Sequence, residues 1–341
     1  ALVQPREGEL VLAGLVLDQL LLFGALALVV AFASATQDIV IDAWRIETCE
    51  DNEAMALLSS AAQLGYRAAL LLADAWILVI AAGLGWALSY QLMAALMGVG
   101  MLAVWLATEP TAVTRDAASL LSARALADAI AGPFIAFFKT HGVHALLMLA
   151  AISLYRLPDF VMGPMANPLY ADLGLDKEVV GAVRGSVGLV ASLAGIAGAG
   201  LFAMRFGFVP ALLLGAVLGP GSNLAFSWLA WSGGDPTVFS ATMAIDNFSA
   251  GFAGAALVAY MSSLTSLGYT ATQYALLSSF YALLGKVLKG FSGIVVEWLE
   301  QGRTLMDAYA IFFAGTALIG VPTLVLCLLL ARRQQPQVTT S

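Results

Sequence analysis

From Val11 to Phe32 the chain is apolar apart from Asp18 and Gln19, and runs of this kind recur to the C-terminal end. A membrane-crossing helix needs about 20 mainly apolar residues. Nine segments meet that requirement: about 11–36, 54–82, 86–108, 142–166, 179–203, 207–232, 237–264, 271–299 and 305–331. Most joints between them are short and carry turn residues, as at Gly83–Gly85, Arg205–Gly207 and Ser232–Pro236. One connection, residues 109–141, is long. Within it Leu120, Leu121, Ala123, Leu126, Ala127 and Ile130 recur at helical spacing, and Phe134, Phe137 and Phe138 follow. This pattern predicts an amphipathic helix lying on the membrane face. The pattern as a whole predicts an all-α polytopic membrane helix bundle. It has three parts: three spans in residues 1–108, a cytoplasmic linker over 109–141, and a six-helix bundle over 142–341.

Composition agrees with this reading. Hydrophobic residues make up 61% of the chain, charged residues 11%, and the mean hydropathy is +0.90. Soluble domains carry about 25% charged residues. The net charge of −7 offers no nucleic-acid footprint. Cys49 and Cys327 make no disulfide framework, and nothing around His141 and His144 points to a metal. Nucleophile elbow, Walker loop and dinucleotide fingerprint are all missing from the sequence, so neither catalysis nor a cofactor is expected.

Lys and Arg placement sets the expected orientation. With the long linker in the cytoplasm, Arg45, Arg115, Arg124, Lys139, Arg205, Arg332 and Arg333 fall inside, against Arg6, Lys177 and Arg303 outside. The C-terminus is then cytoplasmic. The chain starts at Ala1, without Met, in a loop. Three spans before the linker and six after it fit a six-plus-six transporter without its first three spans; a nine-span protein is the alternative. Two short matches at an offset of six spans support repeated halves. Ser59-Ser60 before Arg67 parallels Ser278-Ser279 before Lys286, and Ser34-Ala35-Thr36 before Asp38 and Asp42 parallels Ser240-Ala241-Thr242 before Asp246.

The remaining cations, Arg67, Arg156, Arg184, Lys286 and Lys289, lie within spans. Charge at membrane depth is costly and persists where it lines a cavity, pairs, or carries ions. Asp38 and Asp42 sit four residues apart on one helix face with Arg45 three further on; they read equally as a proton site or partner for a substrate cation, or as a structural ion pair with Arg45. Arg67 and Asp74 share a face, as do Arg156 and Asp159, the latter within a segment interrupted by Pro158, Pro164 and Pro168. Arg184 stands in a glycine series read as close helix packing. Asp246-Asn247 favours holding a proton or a ligand group. Lys286 is a better site candidate than Lys289, which can snorkel.

These segments resemble those of a known family. Ser34-Ala35-Thr36-Gln37-Asp38-Ile39-Val40-Ile41-Asp42-Ala43-Trp44 is similar to the fourth-helix signature of AmpG-type muropeptide permeases and the related acetyl-CoA transporters of the major facilitator superfamily. Leu64-Gly65-Tyr66-Arg67, Arg156-Leu157-Pro158-Asp159, Asp246-Asn247-Phe248 and Ala271 to Ser279 resemble segments of the fifth, seventh, tenth and eleventh helices. The resemblance implies helices 4 to 12 of a major facilitator fold. It implies a monomeric symporter in the bacterial inner membrane that imports anhydromuropeptides, anionic glycopeptides, with protons. Arg67, Arg156 and Lys286 would then meet the substrate's carboxylates, and Gln37, Gln273 and Asn247 its hydroxyls. Asp38, Asp42, Asp159, Asp246 and Arg45 would serve proton coupling or gating. A carrier for acetyl-CoA or another anionic metabolite, or a membrane protein that does not transport, remains the alternative.

Overall fold

A computed structural model of the chain describes residues 9–12, 15–70, 72, 77–110, 123–266 and 269–334. It is helical almost throughout. One departure from the sequence reading comes first. The apolar stretch taken as the start of a span opens with two short strands, β1 (Glu9–Leu12) and β2 (Leu15–Asp18), paired antiparallel with Glu9 opposite Asp18. The helix proper, α1, runs Gln19–Glu47. A four-residue apolar run has no periodicity that separates strand from helix.

The next elements are α2 (Asn52–Leu70), α3 (Ile77–Leu84) and α4 (Trp86–Leu106). The linker helix is α5 (Ala123–His141); Leu120 and Leu121 lie outside the described residues. Then follow α6 (His144–Tyr155), α7 (Leu157–Asp172), α8 (Lys177–Val183), a π-helical turn at Arg184–Gly188, α9 (Leu189–Phe206), α10 (Phe208–Trp231) and α11 (Pro236–Ser263). The chain closes with α12 (Thr270–Leu288), α13 (Ser292–Glu300), α14 (Leu305–Ile319) and α15 (Val321–Gln334).

Among the described residues seven helical segments are long and apolar enough to cross a membrane, against the nine expected: Leu20–Glu47, Trp86–Leu106, His144–Asp172, Lys177–Phe206, Phe208–Trp231, Thr270–Glu300 and Leu305–Arg332. The other two expected spans differ for separate reasons. The α11 helix has 28 residues, but its Ser, Thr, Asp246 and Asn247 lower its hydropathy. The 54–82 segment divides into α2 and α3, with residues 71 and 73–76 outside the described set. The fourth span extends six residues beyond the expected end, to Asp172, and is broken at Arg156 (φ −96°, ψ 3°). Pro158 sits in the first turn of α7, where its missing N–H costs nothing, so the break falls just before it.

Two compact units result: residues 1–48 with 65–112, and residues 49–64 with 113–341. The first two thirds of α2, residues 52–64, thus belong with the second unit, where Ser60 packs on Gly200 of α9. In that unit α10 and α11 are central. Phe226, Phe239, Met243, Tyr170 and Phe313 form an aromatic-rich core between α7, α10, α11 and α14. A second cluster joins Ile196, Ala199, Ala211, Phe252 and Ala255. Apart from Ile196 and Phe252 its buried residues are alanines, and here α9 and α11 cross closely. Gly195 faces the Phe248 carbonyl, and a Cβ on Gly251 would stand 2.5 Å from the Ser192 carbonyl oxygen. Glycine at both contact points is what allows the backbones to meet.

The linker helix is docked in the same unit. Phe137 is buried, Tyr269 closes over Gly132, and the Gln273 side chain donates from Nε2 to the Pro133 carbonyl at 3.0 Å while its Oε1 accepts from the Ser266 N–H at 2.7 Å. Replacing Gln273 with Ala leaves the Ser266 N–H without its acceptor and removes the tie to the Pro133 carbonyl, an expected cost of about 1–3 kcal/mol. Gln273→Glu keeps the acceptor for Ser266 but sets a carboxylate against the Pro133 carbonyl. Limited proteolysis of the linker checks this. Both variants are expected to be cut several-fold faster; a rate unchanged in both would show that α5 is held by other contacts.

Candidate functional site

In the first unit the signature segment forms the C-terminal part of α1. Arg45, 3% exposed, donates from Nη2 to Asp42 Oδ1 at 3.1 Å. The next residue back, Trp44, donates its indole N–H to the Thr108 carbonyl at 2.9 Å. So the second acid of the segment is engaged in an ion pair, and the Trp ties α1 to the chain just after α4. One turn earlier Asp38 and Gln37 are exposed. Gln37 and Thr36 are the polar lining of an otherwise apolar recess of about 490 Å³ between residues such as Phe32 and Val104. Arg67 is half-buried in the last turn of α2. Its expected face-mate Asp74 lies outside the described residues.

The second unit gathers more of the expected residues. At the α6–α7 break, Arg156 Nε meets Asp159 Oδ2 at 3.1 Å; the side chains are 26% and 20% exposed. The break is what makes the pair reachable from neighbouring helices, because Arg156 ends one helix and starts the next. Its Nη1 lies 3.5 Å from the Ala250 carbonyl of α11, over Gly254, where a Cβ would stand 3.0 Å from that nitrogen. Asp159 in turn lies beside Gly219 of α10.

Asp246 of α11 accepts from Ser222 Oγ at 3.4 Å, a long contact, since that hydroxyl is closer to the Gly219 carbonyl at 2.7 Å. Asp246 is within electrostatic reach of Asp159, Arg156 and Arg184. Its neighbour Asn247 donates to the Met243 carbonyl at 2.9 Å and packs on Gly188. Lys286 is exposed in the last turn of α12, next to Gly285, which presses on the Phe160 ring beside Asp159. Gln273 is 1% exposed and holds backbone at both ends of its amide, as described above.

The sequence reading set Arg184 aside as part of a packing series. The structure gives that series two roles. Gly188 and Gly195 are packing positions against α11, whereas Gly181 and Gly185 face open space. Arg184 itself is exposed at the head of the π-turn and donates from Nη1 to Asn167 Oδ1 of α7 at 3.1 Å. Its presence in an apolar span was the available signal; its partner on another helix was not. The second unit therefore holds a set of four charges: the Arg156–Asp159 ion pair where α7 meets α10 and α11, Asp246 on α11, and Arg184 at the π-turn. Chemically it can exchange ion pairs and hold a proton or an anion. Among the described residues there is no group of His, Cys, Asp and Glu that could hold a metal ion.

A bundle of long apolar helices that keeps mutually facing acids and bases at depth defines a multi-pass membrane protein of the transporter class. Comparison with known proteins narrows this. The chain is 30% identical over 307 residues to the putative transporter AmpG 4 of Rickettsia conorii, covering 89% of this chain and 70% of that protein. It is 33% identical over 320 residues to the anhydromuropeptide permease of Escherichia coli K12, covering 91% of this chain and 60% of the permease. The putative transporter AmpG 3 of Rickettsia prowazekii is 30% identical over 273 residues, 80% of this chain and 65% of its own. The chain belongs to the AmpG-type transporter family. It spans about two thirds of the length of these curated relatives. No protein-family model matches it.

Proposed function

We propose that this protein is a proton-coupled secondary transporter that imports anhydromuropeptides across the bacterial inner membrane, with its C-terminus in the cytoplasm. The observation that carries the reading is the Arg156–Asp159 ion pair, with Asp246 and Arg184 as further charges in the same unit. Two guanidiniums supply fork-shaped donors for the carboxylates of a glycopeptide. Two acids in the same unit supply a place for a proton whose arrival and departure alter the charge that the substrate meets. The name of the Escherichia coli relative supports the choice of substrate. Within this reading Asp42 and Arg45 fix the end of α1 and serve gating, Arg67 and Lys286 add positive charge, and Gln37 and Asn247 offer hydrogen bonds to sugar hydroxyls. Gln273 acts through the linker.

The test is uptake of labelled anhydromuropeptide into membrane vesicles made from cells that lack their own permease and express the full-length gene. Uptake is expected to rise with an inward proton gradient and to stop when a protonophore collapses it. Arg67→Ala is expected to lower uptake at least tenfold, and Asp246→Asn to remove its dependence on the gradient, with both proteins present in the membrane at normal amounts. Acetyl-CoA uptake without anhydromuropeptide uptake would reassign the substrate.

A further inference from the structure

One turn of α10 touches both Asp159 and Asp246. Gly219 lies against Asp159 of α7, where a Cβ would stand 3.8 Å from Oδ1, and Ser222 Oγ lies 3.4 Å from Oδ1 of Asp246 on α11. The same turn is pinned to a third part of the unit. Pro220 presses its ring on Gly320, where α14 gives way to α15, and the Asn223 amide donates to Thr316 Oγ1 at 3.0 Å. Ser222 sits between these two anchors and is 3% exposed, shielded from bulk water. What it has left to move is its hydroxyl hydrogen.

That hydrogen has two acceptors within reach. Ser222 Oγ is 2.7 Å from the Gly219 carbonyl, three residues back, and 3.4 Å from the Asp246 carboxyl. Back-bonding to a carbonyl of the same helix is common for serine and is by itself structural. The second acceptor changes its meaning. A protonated Asp246 has a hydrogen of its own and can donate to Ser222 while Ser222 donates to Gly219. An ionised Asp246 only accepts, so the Ser222 hydrogen has to turn toward it. The loss at the other end is small, because the Gly219 carbonyl, inside α10, also faces the Asn223 N–H of the regular helix ladder. The gain is larger, since a hydrogen bond to a carboxylate is about twice as strong as one between neutral groups. We propose that Ser222 is a positioning residue for proton coupling: its hydroxyl turns from the Gly219 carbonyl to Asp246 when that acid loses its proton, and so favours the release. The inference rests on the transport reading above. Among the described residues, the other charged or titratable groups around Asp246 are Arg156, Asp159 and Tyr170 of α7 and Arg184 of the π-turn. The α10 helix has none, and α9 has only Arg205, in its last turn.

The experiment is the pH profile of anhydromuropeptide uptake in the vesicle assay, with the full-length protein. Uptake by the unmodified protein is expected to fall as the outside pH rises. In Ser222→Ala the ionised form of Asp246 loses more than the neutral form does, so the proton is held up to higher pH. The pH of half-maximal uptake is expected to move up by about one unit, the difference between a charged and a neutral hydrogen bond. Ser222→Thr keeps the hydroxyl and is expected to return the midpoint to that of the unmodified protein. If the threonine protein does not reach the membrane, Ser222→Cys, a weaker donor, takes its place and is expected to fall between. In an Asp246→Asn background Ser222→Ala is expected to change the profile no further, because it acts through that acid. A midpoint that stays put or moves down in Ser222→Ala overturns the assignment, as does an equal shift in the Asp246→Asn background. Uptake by the unmodified protein that is absent or insensitive to pH overturns the proton-coupled reading itself, and with it this inference.

Discussion

Replacing Arg156 with alanine is expected to reduce anhydromuropeptide uptake by about 30-fold or more, the consequence of removing a partly buried, charged hydrogen-bonding partner worth about 2 kcal/mol. Two effects contribute and can be separated. The first is loss of the substrate's partner. The second is structural: Asp159, 20% exposed and 3.1 Å from the Arg156 Nε, is left without its ion-pair partner. Breaking one side of such a pair destabilises more than removing both sides. The double variant Arg156→Ala, Asp159→Asn is therefore expected to recover the thermal stability lost in the single variant. It is not expected to recover uptake. Unfolding of the detergent-solubilised proteins, measured beside vesicle uptake, gives both quantities. If uptake returns with stability in the double variant, Arg156 serves the fold and not the substrate.

The second large effect concerns packing. Gly195→Ala is expected to destabilise the second unit by about 2–3 kcal/mol, at the upper end of the range for overpacked positions. The added methyl would meet the Phe248 carbonyl carbon at 2.9 Å and the Phe252 N at 3.0 Å, and both are backbone atoms of α11 that cannot swing aside. Gly198→Ala, one turn along the same helix, is the matched control. Its nearest contact is an ordinary 3.8 Å to the Phe252 ring, and alanine is the better helix former, so stability is expected to stay the same or rise slightly. Thermal unfolding of the two proteins decides the matter. Equal stability would mean that α9 and α11 separate at little cost, contrary to what their close crossing implies.

The long apolar runs made the bundle legible in the sequence, because hydrocarbon demands nearly the same composition of every span. The proline-rich stretch after Arg156 announced an interruption, and the structure places a break there. Details set by neighbours in space were hidden. The hairpin of β1 and β2 is built from residues that are as apolar as a helix start. Nothing in Arg-Gly-Ser-Val-Gly marks a π-turn, and the packing of its Gly188 against Asn247 joins two positions far apart in the chain. The same limit applied to the candidate site. That Arg156 and Asp159 pair follows from their spacing of three, and so does the Asp42–Arg45 pair. That Arg184 reaches Asn167 does not follow from any local pattern. Gln273 is the converse case: the family resemblance made it a candidate partner for sugar hydroxyls, and in the structure its amide is set on backbone at both ends.

That last contact also sets an order of events during synthesis. The Pro133 carbonyl and the Gln273 amide are 140 residues apart in the chain. At about 5–20 residues per second, α5 leaves the ribosome roughly 7–30 s before its anchor exists. For that interval the linker helix has no Gln273 to hold it, while α6 to α11 are being made and inserted. The Gln273 clasp on α5 can close only once α12 has been made, so its closure marks the arrival of α12.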